Sequence, residues 1–336
     1  MAERITILGA GSWGMAMAAH LDRCGHRVVL WEYDRAAYEQ LRTSRTQPDK
    51  LPGVQLADSV EITNDLARAV KRSDILVLAT PAQYLSSLIR NNVDVCSHAG
   101  VIVNLAKGVE NGSLRRMSEI IRDETHRAER LRIVTLSGPS HAEEVAMDMP
   151  TTVVCAGTDE DAARRIQEMF SGGNFRVYYC ADLIGVELGG SLKNVIAIAA
   201  GIADGLGMGD NAKGALITRG LAEITRLGVS MGAAAETFAG LSGVGDLVAT
   251  CFSRHSRNRS VGERIGKGEK LADVLKSMTM IAEGVATCRS AWELAIRYGV
   301  EMPITAQTYQ VLFDGKAPAE AVADLMGRSL KAEIWQ

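Results

Sequence analysis

The sequence predicts an α/β chain: a doubly wound, largely parallel sheet followed by an all-α region. Three observations carry this expectation. Short apolar runs alternate with helical stretches through the first part of the chain. A turn with glycines at fixed spacing joins the first run to the first helical stretch. From Leu183 onward no convincing strand pattern recurs and helical stretches dominate.

The elements follow in order. Ile5 to Leu8 is an apolar, β-branched run that ends in Gly9, with Gly11 and Gly14 behind it. Met15 to Leu21 are good helix formers. Arg27 to Trp31 reads as a second strand, entered through Gly25 as a helix C-cap. Asp74 to Ala79 is a continuous apolar run, as a strand buried on both faces requires. Val101 to Leu105, Ile133 to Leu136 and Thr152 to Cys155 repeat that theme, with helices predicted over Ser113 to Arg122 and Asp159 to Phe170. In such a sheet ligands bind at the carboxyl ends of the strands. The loops there are Thr80-Pro81-Ala82, Ala106-Lys107-Gly108 and Ser137 to Ala142. The character changes near Asp182, and Gly189-Gly190, Gly207 and Gly243-Val244-Gly245 punctuate the helices beyond it. Two domains are expected, 1–181 and 182–336.

The glycine turn has a specific chemistry. Gly9 permits the tight turn. Gly11 lets a pyrophosphate approach the backbone, and Gly14 lets the helix pack close to the strand. The helix N-terminus then presents free N–H groups and its dipole to the phosphates. The strand–turn–helix context makes this a dinucleotide-binding, Rossmann-type fingerprint. A carboxylate roughly 20 residues further on, at the end of the second strand, accepts ribose hydroxyls. Glu32 occupies that place; it would repel a 2′-phosphate and leans the site toward NAD. Arg27 and Arg35 lie close enough in sequence to rescue NADP binding.

Size and charge set the bounds. The 336 residues suffice for two domains, and 47% apolar content supports real cores. A net charge of −3 gives no basic field for nucleic acid. Six scattered cysteines form no CxxC pair, so neither zinc nor a disulfide framework is expected, and they fit buried thiols in a reducing cytosol. His20, His26, His98, His126, His141 and His255 show no metal-ligand spacing. No secretory signal is read, so a cytoplasmic location is expected. The longest apolar run, Val195 to Ala203, is too short to span a bilayer and reads as a buried helix.

The richest segment for chemistry is Val186 to Val195. Lys193 and Asn194 enter an otherwise apolar helix, and a charge there is costly unless paired or used. Lys193 is therefore a candidate acid/base whose pKa is lowered by burial. Asp246, in the Gly243-Val244-Gly245-Asp246-Leu247 turn, either pairs with it or N-caps the following helix, or does both. Arg254, Arg257 and Arg259, with Asn258 and serines, lie in one loop. On composition alone that loop reads as solvated, while bidentate guanidinium groups would suit an anion.

These residues match a known family. The chain resembles bacterial-type NAD(P)-dependent sn-glycerol-3-phosphate dehydrogenase over essentially its whole length. The resemblance rests on Gly9 to Gly14, Ala106-Lys107-Gly108, Ser137-Gly138-Pro139-Ser140, Gly190 to Val195, Ile217 to Glu223, Gly243 to Leu247, and Ser256-Arg257-Asn258-Arg259. It implies reversible reduction of dihydroxyacetone phosphate to sn-glycerol 3-phosphate, a glycerophospholipid precursor, with NAD(H) and/or NADP(H). It also implies Lys193 as catalytic acid/base, with Lys107 and Asp246 beside it. Lys107, Gly138, Ser140, Lys193, Asp246, Ser256, Arg257 and Asn258 look like substrate contacts. Gly9, Gly11, Ser12, Trp13, Gly14, Glu32, Tyr33, Lys107, Ala142, Arg257, Ile281 and Glu283 look like cofactor contacts. Ser140 stands where many members have threonine. Glu32-Tyr33 stands where NADPH-preferring members often have glycine and then a basic residue or histidine, so cofactor preference is open. The expected partner is a small molecule, with no nucleic acid and no stable membrane insertion; a homodimer is left open. A β-hydroxyacid or ketopantoate-type dehydrogenase would share the fingerprint and the helical lysine but lack the anion loop. A non-enzymatic nucleotide sensor would dispense with Lys193, Asp246 and Arg257.

Overall fold

A computed structural model describes residues 2–96, 99–125 and 131–333. His98, His126 and the outermost residues of both expected domains, 1 and 334–336, lie outside the described residues.

Eight strands form one sheet: β1 (Arg4–Leu8), β2 (Arg27–Trp31), β3 (Glu61–Thr63), β4 (Ile75–Leu78), β5 (Val101–Asn104), β6 (Arg132–Ser137), β7 (Thr151–Gly157) and β8 (Phe175–Cys180). Their order is β3-β2-β1-β4-β5-β6-β7-β8. All neighbours are parallel except β6 and β7, which pair antiparallel. β4 and β5 are buried along their whole length, which is why they read as uninterrupted apolar runs. Helices pack on both faces. Met15, Ala18 and Leu21 of helix Ser12–Arg23 share one core with Ile5, Ile7 and Val77. Leu85, Ile89 and Ile120 cover the opposite face over Leu8, Leu76 and Ile102. The chain doubles back between β1 and β4, so a crevice opens above their carboxyl ends.

The expected helix over Ser113–Arg122 begins later, at Met117, and ends at Thr125. Residues 109–116 instead form a tight loop closed by a Val109–Arg116 bridge, with Leu114 in the left-handed region. Gly25 sits one residue past the C-cap Cys24, at φ +84°. Beyond Cys180 the described chain is helical. Helix Leu183–Gly205 runs through the centre of this part and is nearly all buried. Gly189 and Gly190 do not interrupt it, contrary to expectation: a Cβ on Gly189 would lie 2.7 Å from the Ser242 carbonyl, and one on Gly190 2.3 Å from Ser137 Oγ. They let the turn before Asp246 and the end of β6 approach. The helix extends well past the Val195–Ala203 run. Among the described residues it alone is long and apolar enough to cross a membrane, but 89% of its apolar window lies inside the protein.

Candidate active site

A cleft of about 920 Å³ runs from the glycine turn to the central helix. Its floor is the crevice between β1 and β4. Helix Ser12–Arg23 opens at Gly11 with no side-chain cap, so its first N–H groups face the cleft without a protein acceptor from that cap. A Cβ on Gly14 would lie 1.9 Å from the Gly9 carbonyl, whereas one on Gly11 would project into open space. Gly14 therefore serves packing, and Gly11 leaves room for a ligand. Trp13 Nε1 is buried without a partner. Gly9, Gly11, Ser12, Trp13, Tyr33, Ala142, Ile281 and Glu283 all line the cleft. The donor-rich helix end, the open face of Gly11 and the length of the crevice fit a dinucleotide.

Glu32 ends β2 and lines the cleft, as expected, but its carboxylate is already engaged. Oε1 accepts from the Asp34 N–H at 3.0 Å, and Oε2 lies 3.4 Å from Lys50 Nζ. The two arginines expected to help a 2′-phosphate do not reach it. Arg27 opens β2 at the opposite end of the strand, and Arg35 pairs outward with Glu39. The cation beside Glu32 is Lys50, carried in by the turn that follows helix Arg35–Ser44. No periodicity or motif marks Lys50; only the return of that loop to the strand end does.

At the inner end, one carboxylate holds two ammonium groups. Asp246 Oδ1 lies 2.6 Å from Lys193 Nζ and Oδ2 lies 2.7 Å from Lys107 Nζ. Lys193 also donates to Thr250 Oγ1 at 2.6 Å. Lys107 also donates to the Gly138 carbonyl at 3.0 Å. An ammonium has three donors, so with two spent Lys193 retains one for the cleft it lines. Burial lowers its pKa from 10.5 to about 8, Asp246 opposing the drop and Lys107 adding to it. Burial alone would raise Asp246, but Lys107 and Lys193 outweigh it and hold the carboxyl below its usual range. The capping alternative does not hold. Asp246 is already the first helical residue of Asp246–Phe252, the N-cap is Gly245, and no side chain caps that end. Asp246 and Gly138 stand behind the cleft wall, whereas Lys107, Ser140, Lys193, Ser256, Arg257 and Asn258 form it.

Asn194 and Asn258 make an amide chain. Asn258 donates to Asn194 Oδ1 at 2.9 Å and accepts from the Gly284 N–H at 2.9 Å. The arginine loop is less uniform than its composition. Only Arg257 lines the cleft, at its exposed rim, donating to the Ile281 carbonyl at 2.9 Å. Arg259 turns away to Asp204 at 2.7 Å, and exposed Arg254 is not part of the cleft wall. Ser256 N-caps helix Arg257–Gly266 through the Arg259 N–H. Glu283 Oε1 accepts from the Ala82 N–H at 3.0 Å, while burial raises its pKa to about 7. His141 lines the cleft with Nε2 buried and unpartnered. The spacing of the sequence did not single out Thr250, one helical turn after Asp246, as a ligand of Lys193. The six cysteines are free, and no His/Cys/Asp/Glu group among the described residues could hold a metal.

Two family profiles match: the N-terminus of NAD-dependent glycerol-3-phosphate dehydrogenase over residues 4–163, and its C-terminus over residues 182–323. A Geobacter sulfurreducens protein named glycerol-3-phosphate dehydrogenase [NAD(P)+] is 50% identical over 339 residues, covering 100% of both chains. One of the same name from Geobacter sp. (strain M21) is 49% identical over 99% of each. The crystal structure of glycerol-3-phosphate dehydrogenase from Coxiella burnetii superposes with a TM-score of 0.93 at 35% identity, covering 97% of this chain and 99% of that one. With both halves matched in order, this chain belongs to the NAD-dependent glycerol-3-phosphate dehydrogenase family, oxidoreductases that act on a CH–OH group with NAD(H) or NADP(H).

Proposed function

We propose that this chain interconverts dihydroxyacetone phosphate and sn-glycerol 3-phosphate, with Lys193 as general acid/base. The observation that carries the proposal is the buried Lys193 ammonium, clamped by Asp246 and Thr250 with one donor left for the cleft. When bound, the nicotinamide supplies or accepts the hydride. As the C2 carbonyl is reduced, its oxygen gains charge. The Lys193 cation stabilises that charge, and its third N–H delivers the proton. In the reverse direction a neutral Lys193 takes the hydroxyl proton. A free lysine near 10.4 would seldom be neutral at pH 7 to 8, whereas one near 8 is so in useful proportion. Asp246 keeps the nitrogen pointed at the cleft, and Lys107 supplies a second positive charge to the same region.

Arg257 and the Ser256–Asn258 turn take the substrate phosphate, with Ser140 and Lys107 beside the triose. The glycine turn, Trp13, Tyr33, Glu32, Ile281 and Glu283 hold the dinucleotide, and Arg257 touches both ligands. Lys50 beside Glu32 offsets the repulsion that Glu32 alone would exert on a 2′-phosphate, which supports use of either cofactor. We read residues 1–181 as the dinucleotide domain and 182–336 as the substrate domain. We also read the product as feeding glycerophospholipid synthesis in the cytoplasm, with no nucleic-acid partner. The direct test is oxidation of NADH and of NADPH on addition of dihydroxyacetone phosphate to purified protein. Turnover with at least one of them is expected; none with either would refute the reading.

A further inference from the structure

Lys213, Asp204 and Phe252 lie outside the cleft wall, yet they meet at both ends of the segment that presents Arg257. Asp204 closes the central helix, and its side chain is mostly buried. Its Oδ1 lies 2.5 Å from Lys213 Nζ and its Oδ2 2.7 Å from Arg259 Nε. Arg259 is the third residue of helix Arg257–Gly266, so this bond fixes the turn that begins with Arg257 and Asn258. Lys213 is buried, and its ammonium lies 5.1 Å from the centre of the Phe252 ring. Phe252 ends helix Asp246–Phe252, the helix that supplies Asp246 and Thr250. One ion cluster thus grips the residue just before the loop 253–256 and the residue just after Asn258. Within the loop the hydrogen bonds are short-range, Ser256 N–H to the Ser253 carbonyl and His255 N–H to Ser253 Oγ, with the His255 ring 6.0 Å from that of His141. Past it Arg257 donates to the Ile281 carbonyl and Asn258 joins Asn194 and Gly284.

We propose that Asp204 and Lys213 are positioning residues for the substrate phosphate, acting through Arg259 and Phe252 on the loop that carries Arg257. The inference rests on the assignment of the phosphate to Arg257. Lys213 holds the N-terminal end of helix Asp210–Ser230 to the same carboxylate, so three helices share one anchor. Loss of the anchor leaves Lys193, Asp246 and Thr250 bonded to one another and displaces the guanidinium. A displacement of about 1 Å is enough to cost on the order of tenfold or more in a bound geometry.

The test compares Asp204→Asn, Phe252→Leu and Arg257→Ala, each assayed for KM and kcat with dihydroxyacetone phosphate and for KM with the reduced cofactor. Asp204→Asn is expected to raise the dihydroxyacetone phosphate KM about tenfold. Phe252→Leu, at a half-exposed side chain that folding tolerates, is expected to raise it about two- to fivefold, the effect of one cation–π contact. In both, kcat stays within about twofold of wild type, and the cofactor KM rises no more than it does in Arg257→Ala, since Arg257 touches both ligands. Wild-type triose KM in both variants overturns the inference, as does a rise in both KM values together with a fall in kcat, which marks general softening. If Asp204→Asn does not fold, Phe252→Leu decides alone. Arg257→Ala separates the two claims: an unchanged triose KM there removes the phosphate assignment itself, whereas a raised KM there with wild-type Asp204→Asn and Phe252→Leu removes only the positioning role.

Discussion

Lys107→Met should move the ascending limb of the pH profile of glycerol 3-phosphate oxidation to higher pH. Lys193 must be neutral to accept the hydroxyl proton, so kcat/KM rises as pH passes its pKa of about 8. Lys107 is one reason that value is low. Both ammonium groups bond to the same carboxylate, at 2.6 and 2.7 Å, which keeps their nitrogens within about 7.5 Å, and at an effective dielectric of 20 this repulsion is at least about 2 kcal/mol, or about 1.5 pH units. Removing Lys107 also leaves all of Asp246's attraction to Lys193, a further push in the same direction. The assay is kcat/KM for sn-glycerol 3-phosphate from pH 6.5 to 10.5, because this quantity reports ionisations of the free enzyme. The limb should shift from near 8 toward 9.5 in the variant, whatever its absolute rate. A limb that stays in place, or moves down, would mean that the titrating group is not Lys193 or that Lys107 does not act on it.

Two further outcomes follow from the two ends of the cleft. Arg257→Ala should raise the dihydroxyacetone phosphate KM more than it changes kcat, with a loss of about ten- to a hundredfold in kcat/KM, the usual effect of a charge-assisted phosphate bond; an equal penalty on unphosphorylated dihydroxyacetone would show that Arg257 does not read the phosphate. Glu32→Gly should shift the ratio of kcat/KM values toward NADPH by freeing Lys50, and Lys50→Met should shift it toward NADH, each by about tenfold, the effect of one partly exposed charge pair near a third charge. Ratios unchanged in both variants would place the 2′ position away from this pair.

Much of the fold was legible because burial wrote it into the sequence. β4 and β5 are covered on both faces, so each is an unbroken apolar run. β8 has no unbroken apolar run of the kind that marks β4 and β5; its residues carry only the period-two pattern of a half-covered strand. β3 was hidden by its length of three residues. The Gly189-Gly190 pair looked like a break because glycine is a poor helix former; tertiary approach of Ser242 and Ser137 overrides that propensity. At the site, Lys193 could be found because a charge in an apolar helix needs a partner, and Asp246 because glycines set it in a turn. Thr250 and Lys50 carry no such local signal. Each acts because the fold returns it to a group far away in sequence, as Lys50 returns to Glu32 across the β2 end. The reverse failure is Arg27. It is five residues from Glu32 in the chain, but a strand carries those residues to its opposite ends.

The central claim is that Lys193 moves the proton, and one comparison tests it most directly. Lys193→Ala and wild type are assayed side by side for dihydroxyacetone phosphate reduction, with dinucleotide affinity measured on the same samples by nicotinamide fluorescence. Lys193 lies at the inner end of the cleft, away from the glycine turn, so the variant should bind the cofactor with unchanged Kd. Its kcat should fall by a factor on the order of 10² to 10⁴ or more, the range for loss of a general acid that also supplies the stabilising cation. A variant with unchanged Kd and near-wild-type kcat would contradict the account, because the buried lysine would then be a structural partner of Asp246 and the proton would come from elsewhere.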